Sequence, residues 1–440
     1  MKYFISTFGC KVNTSQSEYM KVLLERHGHT YTDAPETADI IIVNSCAVTQ
    51  QSSRKSVAAL RKIKKSINRR AVMILAGCYP QAFSDEAYEI TQADIVIGTK
   101  DIDSLPQLIN EFVSRNEPLH KVVPYGKNDP FEGAGCDMHP SSTRTFLKIQ
   151  DGCNSFCSYC IIPYARGRCR SMHPESLMKQ AENIVRAGFS EIVLCGINLA
   201  SYGKEYELDI ADAVQICADA GVKRVRLGSL EPEMITENIL AKLAKIPQFC
   251  PQFHLSLQSG SDCILKRMNR RYTSAEFELV CTVARKYFPS CAITTDVITG
   301  FPGETAKEFK QTMEFARKIG FAKINAFAFS ERSGTPAAEM EGKVDPQSKK
   351  DRADRIRKLS ESLQLKHHKS LENHVIPVLF ELEKGDGFHI GHAPDGTVIK
   401  IPEKNIKKSL RKSIFYVRIE KSDAACCYGD IVEVGAANPL

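Results

Sequence analysis

No stretch of this sequence approaches the roughly 18 consecutive apolar residues that a membrane-spanning helix requires, and we expect no membrane contact. The N-terminus, MKYFISTFGCKVN, also lacks a basic segment followed by a long apolar stretch and a small-residue cleavage site. It does not resemble a secretory signal, and we therefore expect a cytoplasmic protein. Wholesale disorder is excluded as well, because 43% of the residues are hydrophobic, which is enough to build several cores.

Cysteine, in contrast, is abundant, with 16 residues in a chain of 440. Disulfides would be reduced in a long cytoplasmic chain, so grouped cysteines indicate metal or redox chemistry. At roughly 100–200 residues per domain, the chain has room for two to four domains.

Strand-like and helix-like segments alternate over the first part of the chain. Strands are predicted at 3–7, 39–44, 72–76 and 94–97, and helices at 15–27 and 52–67. This alternation predicts a parallel sheet with helices on its faces, an α/β domain over residues 1–112. The stretch 113–142 is rich in proline and glycine and is predicted to be a linker.

Six further strand–helix units follow before the pattern changes. Their strands are predicted at 146–150, 192–194, 225–227, 254–257, 293–298 and 324–329. Six units predict a partial (β/α)6 barrel over 143–370 with a charged exit helix, since a full eight-unit barrel takes about 250 residues. Five short strands, the last at 431–434, then predict a small antiparallel β-barrel over 371–440. Such barrels often bind nucleic acid.

Cys153, Cys157 and Cys160 form a C-x3-C-x2-C motif directly after the first predicted barrel strand. Three thiolates in one loop can hold three irons of a [4Fe–4S] cluster and leave the fourth iron open. An open coordination position is typical of a catalytic metal site, and barrel active sites lie at the C-terminal ends of the strands. The alternative is a zinc site, which would need a fourth ligand such as His173 or Cys169.

Cys10, Cys46 and Cys78 each follow a predicted strand, in ISTFGC, IIIVNSC and MILAGC. Loops at the C-terminal ends of parallel strands share one crevice, so three cysteines that are distant in sequence would converge there. The alternative is that they are buried small apolar residues, as free cysteines often are. Their equivalent loop positions favour a second cluster held by three thiolates.

The motifs of this chain resemble those of the radical S-adenosylmethionine (SAM) superfamily and, within it, the methylthiotransferase family. The resemblance rests on TFGCKVN, VNSCAVT, AGCYPQ, DGCNSFCSYCIIPYARGRCRS, CGINLASYG, LGSLEP, HLSLQSGSD, MNRRYT, TTDVITGFPGET and SGTPAA, which cover almost the whole chain. It implies two [4Fe–4S] clusters, SAM chelated by the open iron of the barrel cluster, and cleavage of SAM to a 5′-deoxyadenosyl radical. No general acid or base is needed for that cleavage, so we assign no catalytic side chain.

The resemblance also implies which residues line the SAM pocket. Tyr159 occupies the position of an aromatic residue that packs against the adenine, and Asn198 lies in the stretch that flanks the amino-acid end of SAM. The other implied pocket residues are Ser256, Gln258, Gly300, Gly303 and Glu304. The alternative for each is an ordinary strand-end turn, where glycine and polar residues are common.

Two one-sided basic blocks stand out in a chain whose net charge is only +7. The first is Arg61, Lys62, Lys64, Lys65, Arg69 and Arg70, and the second is Lys404, Lys407, Lys408, Arg411 and Lys412. Such blocks indicate phosphate contacts with RNA, whereas isolated charge runs are usually solvated helix faces. The second block lies in a region, from VLFELEKGDGFHIGH to GDIVEV, that resembles the RNA-binding TRAM domain.

The expected activity is SAM-dependent radical methylthiolation of tRNA. GCKVN at Cys10 resembles the family branch that acts at C2 of N6-threonylcarbamoyladenosine next to the anticodon. The implied partners are a tRNA anticodon stem-loop, an external electron donor and a sulfur source.

Other activities are the alternatives. The isopentenyladenosine branch has a GCQMN-like motif and the ribosomal-protein branch a GCPKN-like motif. An electron-transfer protein with two clusters and an RNA-binding module is the alternative from another class, although it would need neither an open iron nor an adenosine pocket. Cobalamin-dependent methylation is disfavoured, because the N-terminal domain contains no D-x-H-x-x-G motif.

Overall fold

The computed structural model of the chain describes residues 1–67, 70–132, 143–385, 387–403, 406 and 409–432. Four residues of the basic blocks, Arg69, Lys404, Lys407 and Lys408, lie outside the described residues. Within the described ranges, no helix is both long enough and apolar enough to cross a membrane.

The N-terminal part of the chain is a six-stranded parallel sheet covered by helices. Its elements are β1 (Lys2–Thr7), α1 (Lys11–Arg26), β2 (Thr30–Tyr31), β3 (Ile40–Ser45), α2 (Gln50–Ser66), β4 (Val72–Gly77), α3 (Cys78–Ala82), α4 (Ser84–Thr91), β5 (Ile95–Ile97), α5 (Leu105–Arg115) and β6 (Leu119–Lys121). The strand order is β2–β1–β3–β4–β5–β6. Every residue of β3 and β4 is buried, because separate apolar cores cover the two faces of the sheet. The predicted α/β architecture is confirmed.

The first sheet extends beyond its predicted end at residue 112. Helix α5 continues to Arg115, and β6 pairs in parallel with β5 through Ile95 and Leu119. Residues 133–142 of the predicted linker 113–142 lie outside the described residues, and the domain boundaries stay predictions. β6 is only three residues long and mostly exposed, so it carries little of the apolar pattern that reveals a strand.

The central part is an open barrel with six parallel strand positions. Its elements are β7 (Arg144–Lys148), β8 (Gln150–Asp151), α6 (Ile162–Arg166), β9 (Arg170–Ser171), α7 (Pro174–Arg186), β10 (Glu191–Cys195), α8 (Ile210–Asp219), β11 (Arg224–Leu227), β12 (Ser229–Leu230), α9 (Glu237–Leu243), β13 (Gln252–Leu255), α10 (Asp262–Arg267), α11 (Ser274–Tyr287), β14 (Ala292–Thr299), α12 (Ala306–Ile319), β15 (Lys323–Ala328), α13 (Pro336–Glu339) and the exit helix α14 (Pro346–Ser370). The parallel strands form two sheets, β7–β10–β11 and β12–β13–β14–β15, and β8 and β9 form a separate antiparallel pair. Capping boxes start α11 at Thr273 and α12 at Thr305. The predicted (β/α)6 barrel is confirmed.

The C-terminal part is a small closed barrel of five strands. They are β16 (Val375–Gly385), β17 (Phe388–His392), β18 (Val398–Pro402), β19 (Ile414–Ser422) and β20 (Cys427–Ile431). Four of the five pairings are antiparallel, as predicted, whereas β18 and β20 pair in parallel to close the barrel. The ladder between β20 and β19 runs from Cys427 to Ile431, and residues 433–434 of the strand predicted at 431–434 lie outside the described residues.

This small barrel is attached to the N-terminal ends of the central strands. Arg226 of β11 donates hydrogen bonds to the carbonyls of Ala393 (3.1 Å) and Pro394 (2.8 Å) in the turn after β17. Glu191, the first residue of β10, pairs with Arg224 at 2.9 Å and with Arg226 at 3.3 Å. The cysteine loops follow the opposite, C-terminal ends of the strands. At about 3.3 Å per residue, the strands separate the two ends by roughly 15–20 Å.

Candidate active site

The three N-terminal cysteines, called here the N-terminal thiol set, meet at one edge of the first sheet. Cys10 is the residue before α1, Cys46 follows β3, and Cys78 opens α3 directly after β4. Burial raises the pKa of Cys78 to about 12, and the neighbouring thiols of Cys46 and Cys10 contribute to the same shift. Residues from three separate loops therefore face one another, as the shared crevice of a parallel sheet predicts.

Glycine precedes two of these cysteines where the backbone is left-handed and closely packed. Gly9 has a φ of +113° and Gly77 a φ of +102°. A Cβ at Gly77 would lie 2.4 Å from Oδ1 of Asn44, and one at Gly9 would lie 3.0 Å from Cβ of Cys46. A side chain at either position would push the cysteine loops apart.

Asn13 ties the loops of the N-terminal thiol set together. Its Nδ2 donates to the carbonyls of Phe8 (2.8 Å) and Ser45 (2.9 Å), and its Oδ1 accepts from the Cys78 thiol at 3.6 Å. Asn13 is 1% exposed, so these bonds form out of contact with water. Asn13 lies in the TFGCKVN motif, which the sequence shows. The sequence does not show the role of Asn13, because its partners Ser45 and Cys78 lie 32 and 65 residues away.

Cys153, Cys157 and Cys160, the central thiol set, lie in the loop between β8 and α6. Backbone hydrogen bonds fold this loop, from Cys153 to the carbonyl of Gly167 (3.1 Å) and from Cys160 to that of Cys157 (3.0 Å). Burial raises the pKa of Cys160, and the nearby thiols of Cys157 and Cys153 add to the shift. The loop thus brings all three sulfurs together at the C-terminal ends of the barrel strands.

Two charged residues without an assigned role lie against the central thiol set. Nη1 of Arg270 donates to the Cys157 sulfur at 3.2 Å, and Nη2 forms an ion pair with Glu231. Burial raises the pKa of Glu231, and the charge of Arg270 opposes that shift. Both residues lie in motifs quoted above, MNRRYT and LGSLEP, yet the sequence does not separate buried Arg270 from its exposed neighbour Arg271.

Four of the residues implied for SAM lie around this loop and the adjacent strand ends. Nδ2 of Asn198 is 3.9 Å from the Cys153 sulfur, and its Oδ1 is buried without a hydrogen-bond partner in the described part of the chain. The ring of Tyr159 packs edge-on against Phe301 at 6.4 Å. Ser256 is buried after β13, and its carbonyl accepts from Arg270. Gln258 follows with a left-handed φ of +63°.

The other three residues implied for SAM are engaged by the protein itself. Oε2 of Glu304 accepts from the amide of Gly300 and from Arg352 of the exit helix, both at 2.7 Å. A Cβ at Gly300 would lie 2.4 Å from Cγ of Lys349, and one at Gly303 would lie 2.6 Å from the Arg267 guanidinium. Close packing therefore explains these residues without a cofactor, and their assignment to SAM stays a prediction.

The donor atoms suit iron–sulfur clusters better than a single metal ion. Among the residues that the structure describes, no three Cys, His, Asp or Glu side chains are grouped so that they could hold a metal ion. In a [4Fe–4S] cluster, each thiolate binds a different iron, so the sulfurs need not converge on one point. His173, one possible fourth zinc ligand, is exposed at the start of α7. The other possible fourth ligand, Cys169, lies beside the loop, with its sulfur 3.7 Å from the carbonyl oxygen of Gly152.

The two thiol sets share a wall. Cys78 packs in one apolar cluster with Ile161 and Ile162, against which Cys160 is partly buried. Arg166, the last residue of α6, is fully buried, and its Nε donates to the Cys78 sulfur at 3.3 Å. A guanidinium therefore lies beside a sulfur in each set, and its positive charge favours the thiolate form of that cysteine.

Comparison with known proteins identifies the family. Residues 147–316 match the radical SAM superfamily, and residues 2–98 match the uncharacterized protein family UPF0004. The threonylcarbamoyladenosine tRNA methylthiotransferase MtaB of Bacillus subtilis is 35% identical over 97% of this chain and 96% of its own. MtaB of Thermotoga maritima is 37% identical over 83% of each chain. The chain belongs to the tRNA methylthiotransferase family.

A second branch of this family is nearly as similar. The tRNA-2-methylthio-N(6)-dimethylallyladenosine synthase of Clostridium botulinum strain Hall is 34% identical over 86% of each chain. Among solved structures, the radical SAM methyltransferase TsrM of Kitasatospora setae has a TM-score of 0.56 over 77% of each chain. At 14% identity, it shows the fold alone.

As a tRNA methylthiotransferase, the chain is a radical SAM transferase. Its cofactors are SAM and [4Fe–4S] clusters, one in the radical SAM domain and a second in the UPF0004 domain. The expected family, enzyme class and cofactors are confirmed. The electron-transfer alternative is wrong, because relatives across almost the whole chain are transferases.

The first basic block of this methylthiotransferase is partly used within its own domain. Arg61 donates to the carbonyl of Ile90 at 2.6 Å, and Lys64 donates to that of Gln92 at 3.2 Å. These carbonyls lie at the C-terminal end of α4, where cations are favourable. Arg70 donates to the side chain of Asn116. Lys62 and Lys65 are exposed on the same helix, α2.

The described part of the second basic block lies near the attachment of the small barrel. The Lys412 ammonium is 5.1 Å from the centre of the Phe189 ring, and the Lys412 carbonyl accepts from Ser190 at 3.2 Å. Lys412 therefore helps to join the small barrel to the central one. Arg411 is exposed. The RNA contacts predicted for both blocks remain predictions.

Proposed function

We propose that this chain adds a methylthio group to C2 of N6-threonylcarbamoyladenosine next to the anticodon of tRNA, in the cytoplasm. Its proposed partners are the anticodon stem-loop, an external electron donor and a sulfur source. The observation that carries the proposal is the shared wall between the thiol sets, where Arg166 of the barrel contacts Cys78 of the first domain. The sites proposed for the two clusters therefore adjoin each other across this wall. The full-length similarity to the two MtaB proteins supports the choice of nucleoside.

The residues have the following proposed roles. The central thiol set holds one cluster and the N-terminal thiol set the other. When bound, the clusters and SAM provide the chemistry of the reaction, which is one-electron cleavage of SAM and a route by which sulfur reaches the substrate. Arg270 and Arg166 hold positive charge beside the sulfurs of Cys157 and Cys78, and Asn198 and Tyr159 line the pocket of SAM.

An anaerobic assay with defined RNA tests this proposal. The full chain with reconstituted clusters, SAM and dithionite would be incubated with an anticodon stem-loop carrying N6-threonylcarbamoyladenosine. The nucleosides would then be analysed by liquid chromatography and mass spectrometry. We expect the 2-methylthio derivative of that nucleoside to form.

The matched control is the same stem-loop with isopentenyladenosine, because relatives of the second branch are almost as similar. Product from the isopentenyl substrate alone would overturn the choice of nucleoside. Nucleoside analysis of tRNA from cells that lack the gene gives an independent check.

A further inference from the structure

An open cleft of about 820 Å³ lies beside the N-terminal thiol set, between the first domain and the central barrel. Helices α2, α3 and α4 form most of its wall, and residues 332–333 of the barrel form the rest. Its charged lining residues are Arg54, Arg61, Lys62, Lys65 and Arg332, with Glu86. Five cations against one acidic residue make the cleft strongly positive, and such a cleft attracts anions.

The floor of the cleft is apolar and aromatic. Val57 and Ala58 of α2 line it together with Tyr79 and Phe83, whose ring centres are 6.0 Å apart. Tyr79 is only 3% exposed and Arg332 lies over the Phe83 ring, so these rings support the cations of the cleft and do not offer a free stacking surface.

Among the residues that line this cleft, Arg332 has the surroundings that best suit binding of an anion. It is 5% exposed, its guanidinium lies over the Phe83 ring at 4.6 Å, and its Nη2 donates to Oγ of Ser53 at 3.3 Å. Its Nε is buried with no hydrogen-bond partner in the described part of the chain. Burial lowers the pKa of Arg332, and the charge of Glu86, which lines the same cleft, opposes that shift only in part. A buried guanidinium with an unsatisfied N–H is costly unless a ligand accepts the hydrogen bond and supplies more negative charge.

The position of Arg332 connects the cleft to the site of sulfur chemistry. Ser53, which accepts from Arg332, donates in turn to the carbonyl of Cys46 at 3.1 Å. Two hydrogen bonds therefore separate the guanidinium from the backbone of a thiol-set residue. An anion held by Arg332 would lie close to the nucleoside that is modified.

We propose that this cleft binds an anionic oxygen group of the substrate RNA through Arg332, with Arg54, Lys62 and Lys65 around it. The inference rests on the proposed function. Two groups of the RNA have the required chemistry, a backbone phosphate and the threonyl carboxylate of the modified nucleoside. A guanidinium binds either group in the same two-pronged manner.

Binding of three stem-loops by the Arg332→Met variant of the full, cluster-loaded chain separates these sources. The stem-loops differ only in the target base, which is adenosine, N6-threonylcarbamoyladenosine or isopentenyladenosine. Loss of a charged hydrogen bond should weaken binding by about 10- to 100-fold, measured by fluorescence anisotropy. An equal loss for all three RNAs assigns the phosphate, whereas a loss confined to the threonylcarbamoyl RNA assigns the carboxylate.

Two further variants keep the test decisive. Lys55→Ser removes a cation from the same helix but outside the cleft lining, and it should change affinity less than threefold. Arg332→Lys retains the charge and should recover part of the affinity if the Met variant is correctly folded. If the Arg332→Met variant does not fold, the double variant with Lys62→Ala and Lys65→Ala is tested in its place. Unchanged affinity for all three RNAs in a folded cleft variant would overturn the inference, even if the parent enzyme makes the expected product.

Discussion

Replacing Arg166 with methionine removes a fully buried guanidinium from the wall between the two thiol sets. Its Nη2 donates to Asn13 at 2.9 Å and to Gln16 at 3.2 Å, and its Nε donates to the Cys78 sulfur at 3.3 Å. Its Nη1 pairs with Asp151 of the barrel at 3.4 Å. One side chain thus connects the first domain to the barrel loop, and its removal should loosen both.

The expected cost follows from the charges that remain. Burial alone would raise the pKa of Asp151, but Lys148, Arg166 and Arg170 together hold it well below its usual value. Without Arg166, Asp151 keeps Lys148 at 2.9 Å and Arg170 at 3.6 Å, so its charge stays paired. Breaking a buried pair costs about 3–5 kcal/mol, and we expect the lower end, about 3 kcal/mol. That is a large share of the 5–15 kcal/mol by which proteins are typically stable.

Urea unfolding of the cluster-free full chain measures this cost, with hydrogen exchange of α1 and α3 as a local readout. The measurement belongs at pH 7, because the depressed pKa keeps Asp151 ionised there and its contribution is lost only in strong acid. Arg168→Met is the matched control, since Arg168 is exposed two residues away, and surface changes usually stay within about 0.5 kcal/mol. If Arg166→Met is no less stable than this control, the guanidinium does not hold the two domains together.

Four more predictions concern the cofactors and the RNA. Changing the central thiol set to alanine should lower iron from about eight to about four atoms per chain and abolish SAM cleavage. Changing the N-terminal thiol set to alanine should also remove about four iron atoms per chain, but the variant should still form 5′-deoxyadenosine. If that variant makes methylthiolated RNA, our assignment of the N-terminal cluster to sulfur delivery is wrong. Removing residues 371–440 should abolish stable tRNA binding but leave SAM cleavage intact, because the small barrel is attached far from the thiol sets. Retention of tRNA on a filter measures the binding, and an assay for 5′-deoxyadenosine measures the cleavage. Neutralising Lys62 and Lys65 should lower the slope of log affinity against log salt by up to about one unit per lost phosphate contact, whereas an unchanged slope would identify a merely solubilising face.

Regular apolar patterns made most of the fold predictable from the sequence. Ile40–Ser45 and Val72–Gly77 are continuous runs of buried strand residues, and each ends one residue before a cysteine of the N-terminal thiol set. Convergence of those cysteines follows from the topology of a parallel sheet. The short edge strand Leu119–Lys121 was missed, because two of its three residues are exposed and its stability comes from pairing with β5.

The contacts that build the site could not be predicted in the same way. Arg166 lies 88 residues from Cys78, and Arg270 lies 113 residues from Cys157. No local pattern marks such pairs, since each is set by how two separately folded units pack. The hydrogen bonds of Arg61 and Lys64 to carbonyls at the end of α4 are equally invisible in the sequence, and the RNA contacts of these two residues stay predictions.

The placement of the small barrel constrains how a tRNA can be held. It is anchored where β10 and β11 begin, whereas both thiol sets and the positive cleft lie where the strands end. A substrate that contacts both must run along the side of the central barrel over roughly 15–20 Å. A duplex stem is stiff enough to bridge that length, while the backbone and bases of unpaired loop nucleotides are accessible enough to enter the cleft. The proposed function therefore fits a stem-loop better than an isolated nucleoside: in that proposal the small barrel would hold the stem, and the cleft would hold the loop beside the thiol sets.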